Sequence, residues 1–221
     1  MAALDGLLIT GQSGFLAGTM VASNLGWRPV ETLKVGDKVL TFDHAMQTVA
    51  DIQRETVLLP HGLPATLHPV RLPRGVCHNR RDLWLMPDQG LLVECEAALD
   101  VLGDPFAVVP VRLLCGYRGI DAGRPGERVE ITTLAFHHDE VIYVEGGLLA
   151  HCPAPRQVLD ETDPLQPALY ERLTGAAARF LVNCLIDDDD DDALGCNPAD
   201  LPGLPIRPPR PGRPIAANPF G

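Results

Sequence analysis

The first two thirds of the chain alternate short apolar runs with turn residues such as Gly, Pro, Asn and Asp. Apolar runs of about four to eight residues between turn signals are typical of β-strands, and no strand here is followed by the long helical segment of a βαβ unit. The pattern therefore predicts an all-β domain of short strands and hairpins. The predicted strands cover residues 18–23, 27–30, 38–42, 47–58, 70–72, 83–86, 91–94, 106–114, 129–136, 140–144 and 148–150.

Polar residues separate neighbouring strands of this pattern. His137, His138 and Asp139 lie between the predicted strands 129–136 and 140–144. Polar residues of this kind are common at the tips of hairpins. We therefore expect these two strands to form one hairpin with a polar tip.

The last third of the chain has a helical periodicity instead. Asp163 followed by Pro164 is a favourable helix start, because Asp caps a helix and Pro fits its first position. The apolar spacing after it predicts one amphipathic helix that ends near Ile186 and packs on the β domain or on a partner. A shorter helix is predicted over residues 94–102, ended by Gly103. The spaced apolar residues of the long helix are Leu165, Leu169, Leu173, Ala177, Phe180 and Cys184.

These patterns divide the chain into four segments. Six consecutive aspartates open the last of them, where negative charge at a helix C-terminus disfavours further helix. Repeated prolines and three arginines follow, which predicts a disordered or polyproline II tail, with a ligand for aromatic-lined grooves as the alternative. The segments are an N-terminal leader (1–13), a β domain (14–155), a helical extension (156–186) and an acidic, proline-rich tail (187–221).

The charge balance limits the possible partners. A formal net charge of −11 disfavours binding to nucleic acid or to an anionic membrane surface, since both need clustered Lys and Arg. The N-terminus lacks the positive region of a signal peptide, and no segment has the roughly 20 apolar residues that span a bilayer. We therefore expect a cytoplasmic protein, with export without a cleaved signal as the open alternative.

The six cysteines are scattered and form no C-x-x-C pair, which disfavours a zinc ribbon or a thioredoxin-type site. Reduced thiols, buried or incidental, are expected, and no metal or cofactor is predicted. One alternative is a metal site formed by His151, Cys152 and either His137 or His138. Another is an activated Cys77 thiol, if it lies beside His151.

One run, residues 14–43, has a specific order of turn and strand residues: GFLAGTMVASNLGWRPVETLKVGDKVLTFD. It resembles the opening segment of the Hint (hedgehog/intein) fold, which is an autoprocessing domain. In that family the first residue is a Cys or Ser that attacks the peptide bond just before it. Gly14 stands at that position here, and glycine has no side chain with which to attack.

Two later blocks extend the resemblance in the same order. LWLMPDQGLLV, residues 83–93, is similar to the family's Thr-x-x-His turn, in which the imidazole assists the leaving nitrogen. Met86 takes the Thr position and Gln89 the His position. DEVIYVEGGLLAHC, residues 139–152, is similar to the final block. It keeps the terminal His as His151, whereas Cys152 replaces the Asn that cyclises in splicing relatives.

The resemblance thus implies a Hint fold with vacated chemistry. Gly14, Met86, Gln89 and Cys152 all lack the family's reactive groups, and losses within one catalytic unit are not rescued by the remaining His151. The expected function is a structural or binding module with a still unknown protein partner, and the chain is not expected to be an enzyme. The alternative is residual autoproteolytic cleavage near Ser13-Gly14.

Overall fold

The computed structural model describes residues 13–154, 170, 172–188, 193–195 and 201. Fourteen short strands and two α-helices make up the described part. The first seven strands are β1 (Phe15–Leu16), β2 (Met20–Ser23), β3 (Gly26–Pro29), β4 (Lys38–Leu40), β5 (Met46–Thr48), β6 (Asp51–Leu58) and β7 (Val70–Leu72). The other seven are β8 (Leu83–Leu85), β9 (Gly90–Glu94), β10 (Phe106–Pro110), β11 (Asp121–Ala122), β12 (Arg128–Ala135), β13 (Glu140–Val144) and β14 (Leu148–Cys152).

The strands form two antiparallel sheets that share one core. The six-stranded sheet has the order β11-β7-β8-β1-β12-β6, and the eight-stranded sheet has the order β10-β9-β14-β13-β2-β4-β5, with β3 paired to β2. Phe15, Leu85 and Leu134 of the first sheet are buried in the same cluster as Val21 and Ile142 of the second. The predicted all-β fold class is therefore confirmed.

The predicted hairpin around His137, His138 and Asp139 is wrong. β12 lies between β1 and β6, so both of its edges are already paired and none is left for β13. β13 instead pairs with β14 across a tight 3-10 turn, Glu145–Gly147. The chain therefore crosses from one sheet to the other at these polar residues.

The predicted strand 47–58 divides in the same way. β5 belongs to the eight-stranded sheet and β6 to the six-stranded sheet. Between them Val49 donates its N–H to the Asp37 carbonyl, whereas Ala50 donates to the Ala135 carbonyl on the other sheet. The predicted strand 106–114 likewise ends at Pro110 and continues as a 3-10 helix, Val111–Leu114.

The helices are α1 (Glu96–Leu102), close to its predicted span, and α2 (Gly175–Asp188). The prediction of one helix running through Leu173 is wrong, because the Leu173 N–H donates to the Val108 carbonyl of β10 and the chain is extended there. The predicted start at Asp163-Pro164 lies outside the described residues, as do most of the aspartate run and the tail from residue 202. In the described part, neither helix is long and apolar enough to cross a membrane.

Helix α2 packs on the β domain rather than standing apart from it. Its apolar face contributes Ala178, Leu181, Val182 and Leu185 to the shared core, all of them buried. Ala193 and Leu194 join the same cluster. The part of the helical extension that the structure describes is therefore integral to the folded domain.

The turn between β13 and β14 depends on a close backbone approach. Gly146 has a φ of +80°, and a Cβ built there would lie 2.5 Å from the Asn79 backbone nitrogen. The Asn79 side chain is itself buried and bonds the backbone on both sides of its loop: its Oδ1 accepts from Gly75 and Cys77, and its Nδ2 donates to the Pro73 carbonyl. Moving this loop away from Gly146 would therefore break several buried hydrogen bonds.

We expect Gly146→Ala to lower the free energy of unfolding by about 3 kcal/mol, since it adds a backbone clash to an unfavourable φ. Gly36→Ala is the matched control: Gly36 has a φ of +92° with no atom within 4 Å of the added Cβ. It should lose only about 1 kcal/mol. Urea denaturation measures both, and equal losses would contradict the close approach at Gly146.

Candidate functional site

The Ser13-Gly14 peptide bond lies at the start of β1, between β8 and β12. The Gly14 N–H donates to Gln89 Oε1 at 3.0 Å, and the Gly14 carbonyl accepts the Met86 N–H at 3.1 Å. The Ser13 carbonyl accepts the Thr133 hydroxyl of β12 at 3.4 Å. Each polar backbone group on either side of this bond thus has a partner within the domain.

Gln89 joins this junction to the end of the domain. Its side chain is 2% exposed, and its Nε2 donates to the His151 carbonyl at 2.8 Å and to the Gly90 carbonyl at 3.0 Å. Its Oε1 accepts from the Gly14 N–H and from the Ser13 hydroxyl. Because carbonyl groups can only accept and N–H groups only donate, the three backbone partners fix which end of the amide is oxygen. The structure therefore brings Gly14, Gln89 and His151 together.

Gly14 leaves no room for a nucleophile. Its φ is +132°, a conformation that residues with a side chain rarely adopt. A Cβ at this position would lie 2.7 Å from Ile131 Cγ2, 2.9 Å from Thr133 Oγ1 and 3.2 Å from the Thr132 carbonyl. Gly14 therefore lacks a thiol or hydroxyl, and its backbone conformation and its neighbours on β12 also disfavour any side chain at this position.

Met86 replaces a polar contact with an apolar one. Its side chain is 3% exposed and lies in a cluster on the outer face of the six-stranded sheet. We call this the outer cluster; it contains Leu16, Leu59, Met86, Val129 and Ile131, with Val57, Leu63 and Trp84 packed against it. Met86, which the sequence resemblance aligns with the family's Thr, contacts the junction through its backbone: its N–H donates a hydrogen bond to the Gly14 carbonyl.

His151 approaches the junction with its carbonyl, whereas its imidazole lies elsewhere. The ring meets Tyr170 edge to face, with centroids 6.1 Å apart. Burial lowers the pKa of this imidazole, Asp139 partly opposes the shift, and Arg172 adds to it. Among the described residues, Nε2 has no hydrogen-bond partner. The ring is thus a neutral group with no hydrogen bond to the scissile amide.

The two candidate cysteines are inert by burial. Cys152 is 2% exposed within the shared core, and burial, followed by the nearby Glu140, raises the pKa of its thiol far above the usual range. Burial raises the pKa of Cys77 to about 12, and its Sγ donates to Asn79 Oδ1 at 3.5 Å. Since the thiolate is the reactive form, neither thiol is activated near neutral pH.

The metal alternative finds no ligand set in the described part of the chain. No three His, Cys, Asp or Glu side chains converge there as a metal site would require. Cys152 points into the shared core, while His151 lies on the opposite face of β14, as the alternation of a strand demands. The two residues therefore cannot ligate one ion together.

Sequence reasoning missed the contribution of β12 and of Gly90. Thr133 bonds the Ser13 carbonyl, and Ile131 closes the space at Gly14. A Cβ on Gly90 would lie 2.7 Å from Val108 Cγ1 and 3.2 Å from His151 Cβ, so this glycine permits β9, β10 and β14 to approach. The one available signal was the pair of threonines at 132 and 133 between the apolar residues Ile131 and Leu134.

Comparison with known proteins identifies the family of this chain. A family model described as "Hint domain" matches residues 13–150, and no curated protein matches the chain. A splice-inactive variant of the AceL NrdHF class 3 split intein is 15% identical with a TM-score of 0.43, covering 65% of this chain and 99% of its own. A bacterial intein-like domain from Clostridium thermocellum is 17% identical with a TM-score of 0.42, covering 63% and 98%. Since the family match extends from the Ser13-Gly14 junction almost to His151, the chain belongs to the Hint domain family.

Proposed function

We propose that this Hint domain has lost self-cleavage and serves as a folded structural or binding module. The observation that carries the proposal is Gly14, which has neither a side chain nor the space for one. Autoprocessing in this family begins when a side chain at this residue attacks the carbonyl just upstream and converts the amide into an ester or thioester. Without that bond-forming group the first step has no reactant.

The helper position supports the same proposal. Breaking the amide requires a proton for the leaving Gly14 nitrogen. Gln89 Oε1 instead accepts a hydrogen bond from the N–H of this nitrogen at 3.0 Å, and an amide side chain has no pKa near neutrality. The contact therefore holds the intact peptide bond and offers nothing to the leaving group.

The end of the domain, at His151 and Cys152, offers no substitute for the missing reactive groups. Cyclisation at the end of the domain needs an Asn amide, and the buried Cys152 thiol cannot perform that reaction. The His151 imidazole, whose pKa is lowered, is neutral near pH 7 and directed toward Tyr170. Losses at three positions of one catalytic unit leave no residue from which the reaction could start.

A second candidate is residual cleavage near Ser13-Gly14. Its supporting observation is the Ser13 hydroxyl, which lies 3.3 Å from Gln89 Oε1. A Ser13 nucleophile would attack the carbonyl of the preceding residue, so the released domain would begin at Ser13. Gln89 can accept a hydrogen bond from this hydroxyl, but an amide oxygen is far too weak a base to take its proton.

The partner of a binding module remains to be found, and we propose a protein in the cytoplasm. The net charge of −11 argues against nucleic acid and anionic membranes as partners.

Intact mass separates cleavage from its absence. We expect purified full-length chain to keep one mass during prolonged incubation with dithiothreitol, which would release a thioester, and with hydroxylamine, which would also release an ester. A product that begins at Ser13 or Gly14 would overturn the proposal and establish residual processing. Incubation in buffer alone is the control for proteolytic contamination.

The steric fit at Gly14 has its own test. We expect Gly14→Ala to lose about 2–4 kcal/mol of unfolding free energy, because the new methyl group meets β12 and the φ is unfavourable. Gly18→Ala, at a φ of +90° with open space around the Cβ, should lose about 1 kcal/mol. Chemical denaturation of both variants gives the comparison. If Gly14→Ala were as stable as Gly18→Ala, the site could accept a side chain after all.

A further inference from the structure

The short strand β1 leaves a gap in the six-stranded sheet. Its two neighbours, β8 and β12, both pair with Phe15 from opposite edges. β1 ends at Leu16, Ala17 still donates its N–H to the Glu130 carbonyl, and the chain turns away at Gly18 with a φ of +90°. Because neighbouring strands lie about 4.8 Å apart, β8 and β12 are about 10 Å apart on either side of β1, so the gap beyond β1 begins with the width of one strand. In the register of β1 on β8, Leu83 lies opposite Ala17, so the gap continues between residues 81–82, just before β8, and residues 128–129 of β12.

A cavity of about 480 Å³ lies in this gap. Cavities of about 300–1,000 Å³ are the usual size of ligand sites. We call it the β8–β12 slot; its wall includes Leu16, Gly18, Trp84, Pro125, Arg128 and Val129. Its wall begins at Leu16, after the Ser13-Gly14 junction, and includes none of the vacated catalytic positions.

We propose that the β8–β12 slot binds a short extended peptide with an apolar residue followed by an acidic one. The peptide would continue β1 and pair antiparallel with β12, as β1 does, with the segment that precedes β8 on its other side. This inference rests on the proposed binding role and gives it a surface and a class of partner.

The apolar preference comes from the outer cluster. In the register of β1 on β12, Leu16 lies opposite Ile131 and Ala17, which donates its N–H to the Glu130 carbonyl, lies opposite Glu130. A peptide that continues the strand after Ala17 therefore has its first residue opposite Val129. Directly opposed residues of an antiparallel pair share one face of the sheet. Val129 is 6% exposed and lies with Trp84 on the apolar face. An apolar side chain at this peptide position would therefore extend the outer cluster.

The acidic preference comes from Arg128, which lies opposite the next peptide position. Its side chain is exposed, and within the described residues it has no hydrogen-bond or ion-pair partner. The other arginine of the slot, Arg81, is already engaged with the Gly18 carbonyl and with Glu145. Arg128 is thus the cation of the slot that a ligand carboxylate can bind.

Three carboxylates also line the slot, and they are the main argument against an acidic peptide: Asp82, Glu130 and Glu145. Asp82 is paired with Arg71 and Glu145 with Arg81, which leaves Glu130 as the carboxylate to weigh against Arg128. Directly opposed Cβ atoms lie about 4.5–5.5 Å apart, whereas diagonal neighbours lie about 7–8 Å apart. A carboxylate opposite Arg128 is diagonal to Glu130, so the attraction acts at the shorter distance. The net charge of −11 favours cationic ligands at long range, which makes a basic peptide the competing outcome of the test.

The test uses the full chain with Trp27→Phe, which leaves Trp84 in the slot as the sole tryptophan. The probe is acetyl-Gly-Val-Glu-Gly-amide, and the matched control peptide is acetyl-Gly-Val-Lys-Gly-amide. We expect a saturable change in Trp84 fluorescence with a Kd of about 1 mM or below for the Glu peptide. The Lys peptide should bind about fivefold more weakly.

Variants assign the charge effect to Arg128. In the same background Arg128→Gln should weaken the Glu peptide about fivefold and remove its advantage over the Lys peptide. Arg179→Gln, on the exposed face of α2 and outside the slot, should leave both affinities unchanged. Circular dichroism checks that each variant is folded.

Three outcomes would overturn the peptide-binding proposal: no saturable fluorescence change with the Glu peptide, equal or tighter binding of the Lys peptide, or unchanged affinity of Arg128→Gln for the Glu peptide. None of them bears on cleavage. If the chain stays intact but fails these tests, only the peptide-binding proposal is overturned. If the chain binds the peptide but cleaves itself, only the proposed loss of self-cleavage is overturned.

Discussion

One buried amide holds together the three segments that define this domain. Gln89 lies in the turn between β8 and β9, and it bonds the Gly14 N–H just before β1 on one side and the carbonyl of His151 in β14 on the other. The two ends of the domain are far apart in sequence and belong to different sheets. Because an unsatisfied buried polar group costs about 1–3 kcal/mol, loss of this side chain would expose several backbone groups to that penalty at once.

The same contact fits the proposed loss of chemistry in a domain that keeps its architecture. An imidazole at this position could give a proton to the leaving nitrogen, whereas the Gln89 oxygen can only accept a hydrogen bond from the amide. Met86 converts the neighbouring polar position into part of the outer cluster, and Cys152 fills a place in the shared core. Each substitution replaces a reactive group with one that the folded state accommodates, so the vacated site contributes to stability.

The sequence predicted the local elements better than their partners. Short apolar runs located most strands within about two residues, and the three family blocks placed Gly14, Gln89 and His151 in one site. Alternation identifies a strand but does not say which sheet it joins. The strands β5 and β6, and again β12 and β13, therefore seemed continuous or paired although they lie in different sheets. The positive φ of Gly14 and the extended Leu173 depend on Ile131 and Val108, which are remote in sequence.

The central claim is that the Gln89 oxygen holds the scissile amide by accepting a hydrogen bond from its N–H. Hydrogen exchange of the Gly14 amide, followed by NMR, tests it most directly. The account predicts that this amide is strongly protected in the native chain and that Gln89→Ala, if still folded, loses the protection at Gly14 while core amides such as that of Ile142 keep theirs. A Gly14 amide that exchanges as fast as an exposed one in the native chain would contradict the claim.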